Sequence, residues 1–465
     1  MARLRTLVAA GWVMVLTIAG SAVIEPAATA PAATAQDAGS IDATGASDAT
    51  ADLQALFDRT PDGGVVQLQA GADYRLEGTL VLEERHNLRI EGNGARIFAT
   101  PVAVRSHSQL RIVGGSDVAV RNLEIEGANP HAGRERGYVA AFEAQHGISL
   151  EGVTDVELDR VHIHDTYGDH VYVSRHEEDR RWSERVWIHD STFERTGRQG
   201  IAVVAARDVV IERNTMTDMA RATIDLEPTT ASWGADNVHI IDNEIGPGRL
   251  LFVAAGGGGP VNRVVIARNT LRGRDLSFRV VPPEGQRRQR FWVVDNTSDT
   301  PISEPPVEFT RVDGAIVHGN RQPLSGPEAL VKVHDSCDVA VTNNNTAPGT
   351  LALEGRSRQC NFILPVEPPE PPLVAGRGQP PVTAPPTTAP PPPPSTAPAT
   401  TTTTTPPTSA RGSTTDAGPP GTQLAASETR GGDGVAGPVV VLAMVLSAVA
   451  GAGGALVLSA WRARR

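Results

Sequence analysis

The chain has 465 residues, with 42 basic and 53 acidic side chains and a formal net charge of −11. That balance argues against a nucleic-acid surface, which needs a concentrated positive field to displace phosphate counterions. Lys332 is the single lysine, so chemistry that depends on a lysine has one candidate. Two cysteines, Cys337 and Cys360, exclude both a disulfide framework and a zinc site built on four thiolates.

Residues 1–35 read as a secretory signal peptide: Arg3 and Arg5, the apolar run Leu7 to Ile24, then a small-residue stretch. Ala33-Thr34-Ala35 and Ala28-Thr29-Ala30 both offer an Ala-x-Ala cleavage site. Residues 36–365 form the span expected to fold. Residues 366–434, with runs such as Pro390 to Pro394 and Thr400 to Thr405, supply no periodic apolar face and read as a disordered, extended linker. Val435 to Trp461 carries no charge and is longer than the about 20 residues a helix needs to cross a bilayer. Arg462, Arg464 and Arg465 follow, so residues 435–461 are expected as a transmembrane helix and 462–465 as a cytoplasmic basic tail, with the folded domain outside. A processed sorting tail is the competing reading of this stretch.

Within 36–365 one pattern recurs: two apolar residues separated by one, then a residue three positions later that is usually Asn. The Asn positions are Asn93, Asn214, Asn243, Asn269, Asn296, Asn320 and Asn344, and three further copies carry Leu123, Val161 or Ser191 instead. The second apolar positions are 90, 120, 158, 188, 211, 240, 266, 293, 317 and 341. A unit this short cannot bury its own face and must stack on its neighbours, which predicts a solenoid of about ten coils. Asn suits a tight corner, because it tolerates left-handed dihedrals, and stacked Asn side chains can hydrogen-bond along the axis. The leucine-rich signature is missing, and the spacing is too short for propeller blades.

On these repeats the chain resembles the right-handed parallel β-helix proteins of the pectate-lyase-like superfamily, across most of residues 48–360. Ala51-Asp52-Leu53-Gln54-Ala55-Leu56-Phe57 reads as a short helix, followed by Pro61 to Val66 and Tyr74-Arg75-Leu76 leading into the first coils. The resemblance implies that such a helix caps the open end. It also implies an all-β, single-stranded solenoid, and little about chemistry, since the fold carries lyases, hydrolases, epimerases and non-catalytic proteins. Cys337 and Cys360 are about one coil apart and are expected either to close the last turn as a disulfide or to stay free thiols.

The middle coils carry the unusual side chains. Aligning their second strands gives Gln145-His146-Gly147-Ile148, Gly168-Asp169-His170-Val171, Arg198-Gln199-Gly200-Ile201 and Ala222-Thr223-Ile224-Asp225-Leu226-Glu227. With Ile148, Val171, Ile201 and Ile224 inward, three outward columns are expected: Gly147, His170, Gly200 and Thr223; then Tyr172, Ala202 and Asp225; then Ser174, Val204 and Glu227. Asp225 and Glu227 have the spacing of the acid and base in inverting glycoside hydrolysis. Arg198 is expected to meet a sugar carboxylate, with Gln199 and Tyr172 beside it as further substrate contacts. Asp169 joins the catalytic patch, and His170 and His146 are candidates for proton transfer. For an eliminating lyase, the carboxylates would hold calcium or substrate, and Arg198 or a histidine would remove the proton. No other cofactor is expected, and no metal signature accompanies His162, His164 and His189, which read as solvated positions on another sheet.

Val186-Trp187-Ile188-His189-Asp190-Ser191 is similar to a pectate-lyase signature, but there the Asp precedes the His. Neither an Arg-x-Pro-x-x-Arg element nor the Asp pair and Gly-His-Gly of polygalacturonases is present. The expected function is therefore a membrane-anchored extracellular protein that binds, and cleaves or modifies, polysaccharide. A non-catalytic surface module for glycan or protein is the alternative, and a structural stalk a third reading.

Overall fold

The computed structural model describes residues 35–134, 136–325, 329–346 and 351–374, all within one compact unit. The signal peptide, the anchor, the basic tail and nearly all of the linker expected from the sequence lie outside the described residues. Among the described residues no helix is long and apolar enough to cross a membrane.

Alternation along short apolar stretches makes each of them a strand, and every named pairing between strands is parallel, for example Val156 with Val118 and Val186. A middle coil has three strands, such as Thr154–Asp159, His162–Thr166 and Val171–Ser174, and each stacks on its equivalent in the next coil. This gives three ladders. The third ladder, from Leu80–Glu83 to Leu351–Glu354, holds eleven strands, one more than the ten coils expected. Inward residues such as Leu158, Ile188, Ile211, Ile240, Ile266, Val293 and Val317 form one continuous core.

The N-terminal helix spans Thr50–Arg59 and buries Leu53, Leu56 and Phe57 against the first coils. It shields the core at the end where no further coil exists to cover it. At the other end Cys337 and Cys360 form a disulfide with Cα atoms 5.9 Å apart. Closing a loop of that length stabilises the last coil by about 3 kcal/mol on the chain-entropy model.

The Asn residues differ from the expectation in one respect. The residues with left-handed dihedrals are those just before them, including Asp190, Arg213, Asp242, Arg268, Asp295 and Asn343, whereas Asn214 to Asn344 are not left-handed. Each of these Asn side chains points inside the corner. Asn214, Asn243, Asn269, Asn296, Asn320 and Asn344 are linked by successive Nδ2 to Oδ1 bonds of 2.9–3.1 Å. Each Nδ2 also donates to a strand carbonyl of the preceding coil, from Ile188 O to Val317 O. The sharp corner interrupts the backbone ladder, and the buried amides replace the missing partners. Ser191 extends the ladder with its hydroxyl and backbone N–H. Asn93 is separate: it is itself left-handed, as expected, and bonds Leu68 O instead.

The left-handed column itself alternates in charge: Arg160, Asp190, Arg213, Asp242, Arg268, Asp295. Stacking places equivalent residues about 4.8 Å apart, where like charges repel. Arg213 pairs with Asp190 and Arg268 with Asp242, each at 2.8 Å.

Beyond the disulfide the chain folds back over the outside of the first ladder. There Trp187, Val210, Ile241, Val265, Trp292, Val294 and Ile316 make an apolar stripe, covered by Leu364 and Val374. Trp292 Nε1 donates to Pro365 O at 3.0 Å. The first residues of the expected linker therefore dock on the solenoid as a strap.

Replacing Asn269 by Ala strips buried groups on both neighbouring coils of partners, and is expected to cost about 3 kcal/mol or more in urea unfolding. Truncation after Cys360 exposes the stripe, so the shortened chain should bind a hydrophobic dye that the longer chain does not.

Candidate functional site

The third-ladder strands meet in the register expected: Val171 pairs with Ile148 and Ile201, and Ile201 with Ile224. Tyr172, Ala202 and Asp225 consequently share one column. Glu227 follows immediately after the strand Ile224–Leu226, and Asp169 and Arg198 sit in the corners that enter the strands above it.

Arg198 is the hub. Its Nη1 donates to Asp169 Oδ2 and its Nη2 to Glu227 Oε1, both at 2.6 Å. Asp169 also accepts from the Gln199 backbone N–H at 3.0 Å, and Gln199 Nε2 donates to Asp225 Oδ2 at 2.9 Å. The Asp169 backbone N–H donates to His146 Nδ1 at 3.0 Å. The His146 ring lies parallel to that of Tyr172, 4.6 Å away. Seven of the eight expected catalytic and substrate residues thus form one network, in which Asp169 is fully buried and Asp225 is 5% exposed.

His170 is the exception. It was expected on the outer face, yet its ring is buried against core residue Phe193, with centroids 5.9 Å apart. The reason is local. The chain is still turning its corner at 170, so strand alternation does not yet apply. The same holds for its column, because a Cβ on Gly147 would strike Ile163 and one on Gly200 would lie against Met219, both core side chains. Burial pushes the His170 imidazole down to about 3, so it stays neutral and faces inward.

Three carboxyl groups share one guanidinium, and their environments separate them. Burial, reinforced by the charge of Glu227, pushes Asp225 well above the carboxylate range. Its hydrogen-bond partner is the Gln199 amide and not a cation. Gln199 Oε1 is buried without a partner, and turning that amide over would let it accept the Asp225 proton. Burial also raises Glu227, but Arg198 opposes the shift. Asp169 is pushed up to about 6 by burial, again against Arg198. Burial, with Arg198 adding to it, pushes His146 down to about 3. Its Nδ1 already accepts a hydrogen bond, so His146 is a neutral donor through Nε2 and not a base. Burial raises the Tyr172 phenol to about 12, which keeps it protonated.

The repeat pattern did not reveal Tyr138, Glu143 and Arg221. The Tyr138 hydroxyl donates to Glu143 Oε2 at 2.8 Å, and the Arg221 guanidinium stacks on the Tyr138 ring at 4.6 Å. Tyr138 and Glu143 flank the cluster because the excursion between Glu126 and Ile148 folds over the corner, where Asn129 Nδ2 bonds Gly137 O and Thr166 O, and Arg221 meets them from the corner before the strand Ile224–Leu226. The signal for this excursion was the long interval between apolar positions 120 and 158.

A family model described as right handed beta helix region matches residues 108–276. The described residues form a right-handed parallel β-helix. No curated protein matches the chain. Among solved structures, this β-helix is similar to an endo-xylogalacturonan hydrolase from Aspergillus tubingensis, with TM-score 0.50, 11% identity, and coverage of 70% of this chain and 96% of that one. It is also similar to the Streptococcus pneumoniae surface protein and adhesin PfbA, with TM-score 0.48, 15% identity, and coverage of 70% and 100%. The A-module of the Azotobacter vinelandii mannuronan C-5 epimerase AlgE6 has TM-score 0.48, 15% identity, and coverage of 70% and 96%. At 11% identity the likeness to the hydrolase concerns the fold alone, and the chemistry rests on the residues.

A carboxyl whose folded pKa lies above its unfolded value near 4 makes the folded state bind the extra proton, so stability falls as pH rises above about 4. Asp225→Asn removes that loss. Its thermal stability relative to the parent should increase from pH 4 to pH 7. A variant that melts lower at pH 7 would mean instead that an ionised Asp225 is held by Arg198.

Proposed function

We propose that this β-helix is an extracellular polysaccharide hydrolase, with the Asp169, Arg198, Asp225 and Glu227 cluster as its site. The observation that carries the reading is the unequal pair, Asp225 raised by burial beside an amide and Glu227 paired with Arg198, two residues apart at one strand end. Opposed environments of this kind separate an acid from a base. Asp225 gives its proton to the glycosidic oxygen as the C–O bond breaks. Glu227 takes a proton from the water that attacks the anomeric carbon from the other side. Alternate residues on a strand are about 6.8 Å apart, within the separation used for inversion. Tyr172, stacked on His146, supplies a partly exposed ring face for a sugar.

The commitments of Arg198 favour a neutral glycan. Arg198 was expected to meet a uronate, but it spends Nη1 and Nη2 on Asp169 and Glu227. Calcium would have to displace Arg198 from two of the carboxylates. Residues 1–35 would export the chain, and residues 435–461 would tether it to the membrane.

A second reading has its own support. Asp169 and Asp225 are almost free of solvent, as suits a rigid network that shapes a non-catalytic glycan-binding surface. Incubation with neutral and uronic polysaccharides, with and without calcium, separates the readings through new reducing ends and unsaturated products. Hydrolysis of a neutral glycan without calcium is expected, and Asp225→Asn should lower it about 10²–10⁴-fold. Unsaturated products would establish a lyase. Retention on glycan without products would establish the binding module.

A further inference from the structure

We propose that the outer face of the first strands of this solenoid carries a second site, for a divalent transition metal, held by Glu124, His162 and His164. It is independent of the carboxylate cluster on the third ladder. His162 and His164 stand two apart on one strand and so share its outer face, and Glu124 lies on the preceding coil, directly paired with His162. A ligand atom from each residue lies within 4.8 Å of those of the other two. His164 Nε2 is 3.2 Å from Glu124 Oε1. That is the edge length, about 3.3 Å, of a tetrahedron with metal–ligand bonds of about 2.0–2.1 Å. The His162 and His164 ring centroids are 4.7 Å apart, so a small rotation of the half-buried His162 completes the triangle.

The surroundings fit a metal better than a plain ion pair in one respect. His164 Nδ1 is 2.8 Å from Asp165 Oδ2, and Arg195 grips both oxygens of Asp165 at 3.0 Å. A carboxylate on the far nitrogen fixes the ring and directs Nε2 outward, as the outer-shell partner of a metal-bound imidazole does. The nearby carboxylates are otherwise committed: Glu126 to Arg96 at 2.5 Å, and Glu194 to Arg195 at 3.1 Å, with His162 Nε2 3.4 Å from Glu194. Two imidazoles and one carboxylate suit zinc and its neighbours rather than calcium, and leave a coordination position open to solvent.

The first ladder supplies an internal control at its own corner. His189, Asp190 and Arg213 repeat the local arrangement, with Glu157 on His189 Nε2 at 3.2 Å. There Trp187 stands two residues before the histidine, as His162 does before His164, and stacks on His189 at 3.5 Å. The second imidazole distinguishes the proposed site from this repeat.

The test is zinc titration of the purified full chain, with bound metal counted after dialysis and the visible spectrum recorded with cobalt. One zinc per chain is expected, together with a rise in melting temperature and the intense absorption of four-coordinate cobalt. His162→Ala and Glu124→Gln change half-buried side chains on the outer face, and should abolish all three while leaving the metal-free melting curve in place. Asp165→Asn should weaken binding about 10–100-fold, and His189→Ala should have no effect. No zinc retained by the parent chain, or equal retention by His162→Ala, overturns the proposal.

Discussion

Parallel stacking in register governs everything in this molecule. Each coil lies about 4.8 Å from the next, so a side chain sits directly over its counterpart from the preceding turn. Whatever one position does must be compatible with a row of equivalents. Apolar positions satisfy this trivially, and the core becomes continuous stacks of Val and Ile. Polar positions inside a corner satisfy it only if each residue can both donate and accept. Asn can, so Asn214 to Asn344 form a ladder with each amide serving two coils. Charged positions satisfy it by alternating sign, as Arg and Asp do from Arg160 to Asp295.

The same constraint builds the candidate site. Asp169, Arg198 and the neighbouring pair Asp225 and Glu227 come from three successive coils, yet the coil spacing brings them within one hydrogen-bonded network. Here the alternation fails: three carboxyls gather at Arg198, and Arg221 follows it one coil on. A repeating scaffold under selection for stability alone would alternate charge here as it does in the left-handed column. Burial and the charge of Glu227 raise Asp225, the direction an acid catalyst requires.

Most of the architecture was legible before any coordinates, because the period of the apolar pairs and the Asn positions report directly on stacking. The strand register at Ile148, Val171, Ile201 and Ile224 followed from alternation, and the capping helix from its amphipathic pattern. Alternation stopped being informative at corners. His170 therefore turned inward, and Arg213 and Asp242, not the Asn residues after them, took the left-handed dihedrals. A sequence period carries no information about which way a residue faces once the strand has ended.

The sequence by itself determined that the chain is a solenoid, where its coils lie, and which residues could meet, because period and alternation are local properties. Tertiary structure alone decided which of those residues did meet and in what state of charge. Arg198 is paired with Asp169 and Glu227 because the coil spacing brings both carboxylates to it. The upward shift of Asp225 depends on burial and on Glu227, and both are set by neighbours that only the folded chain brings together.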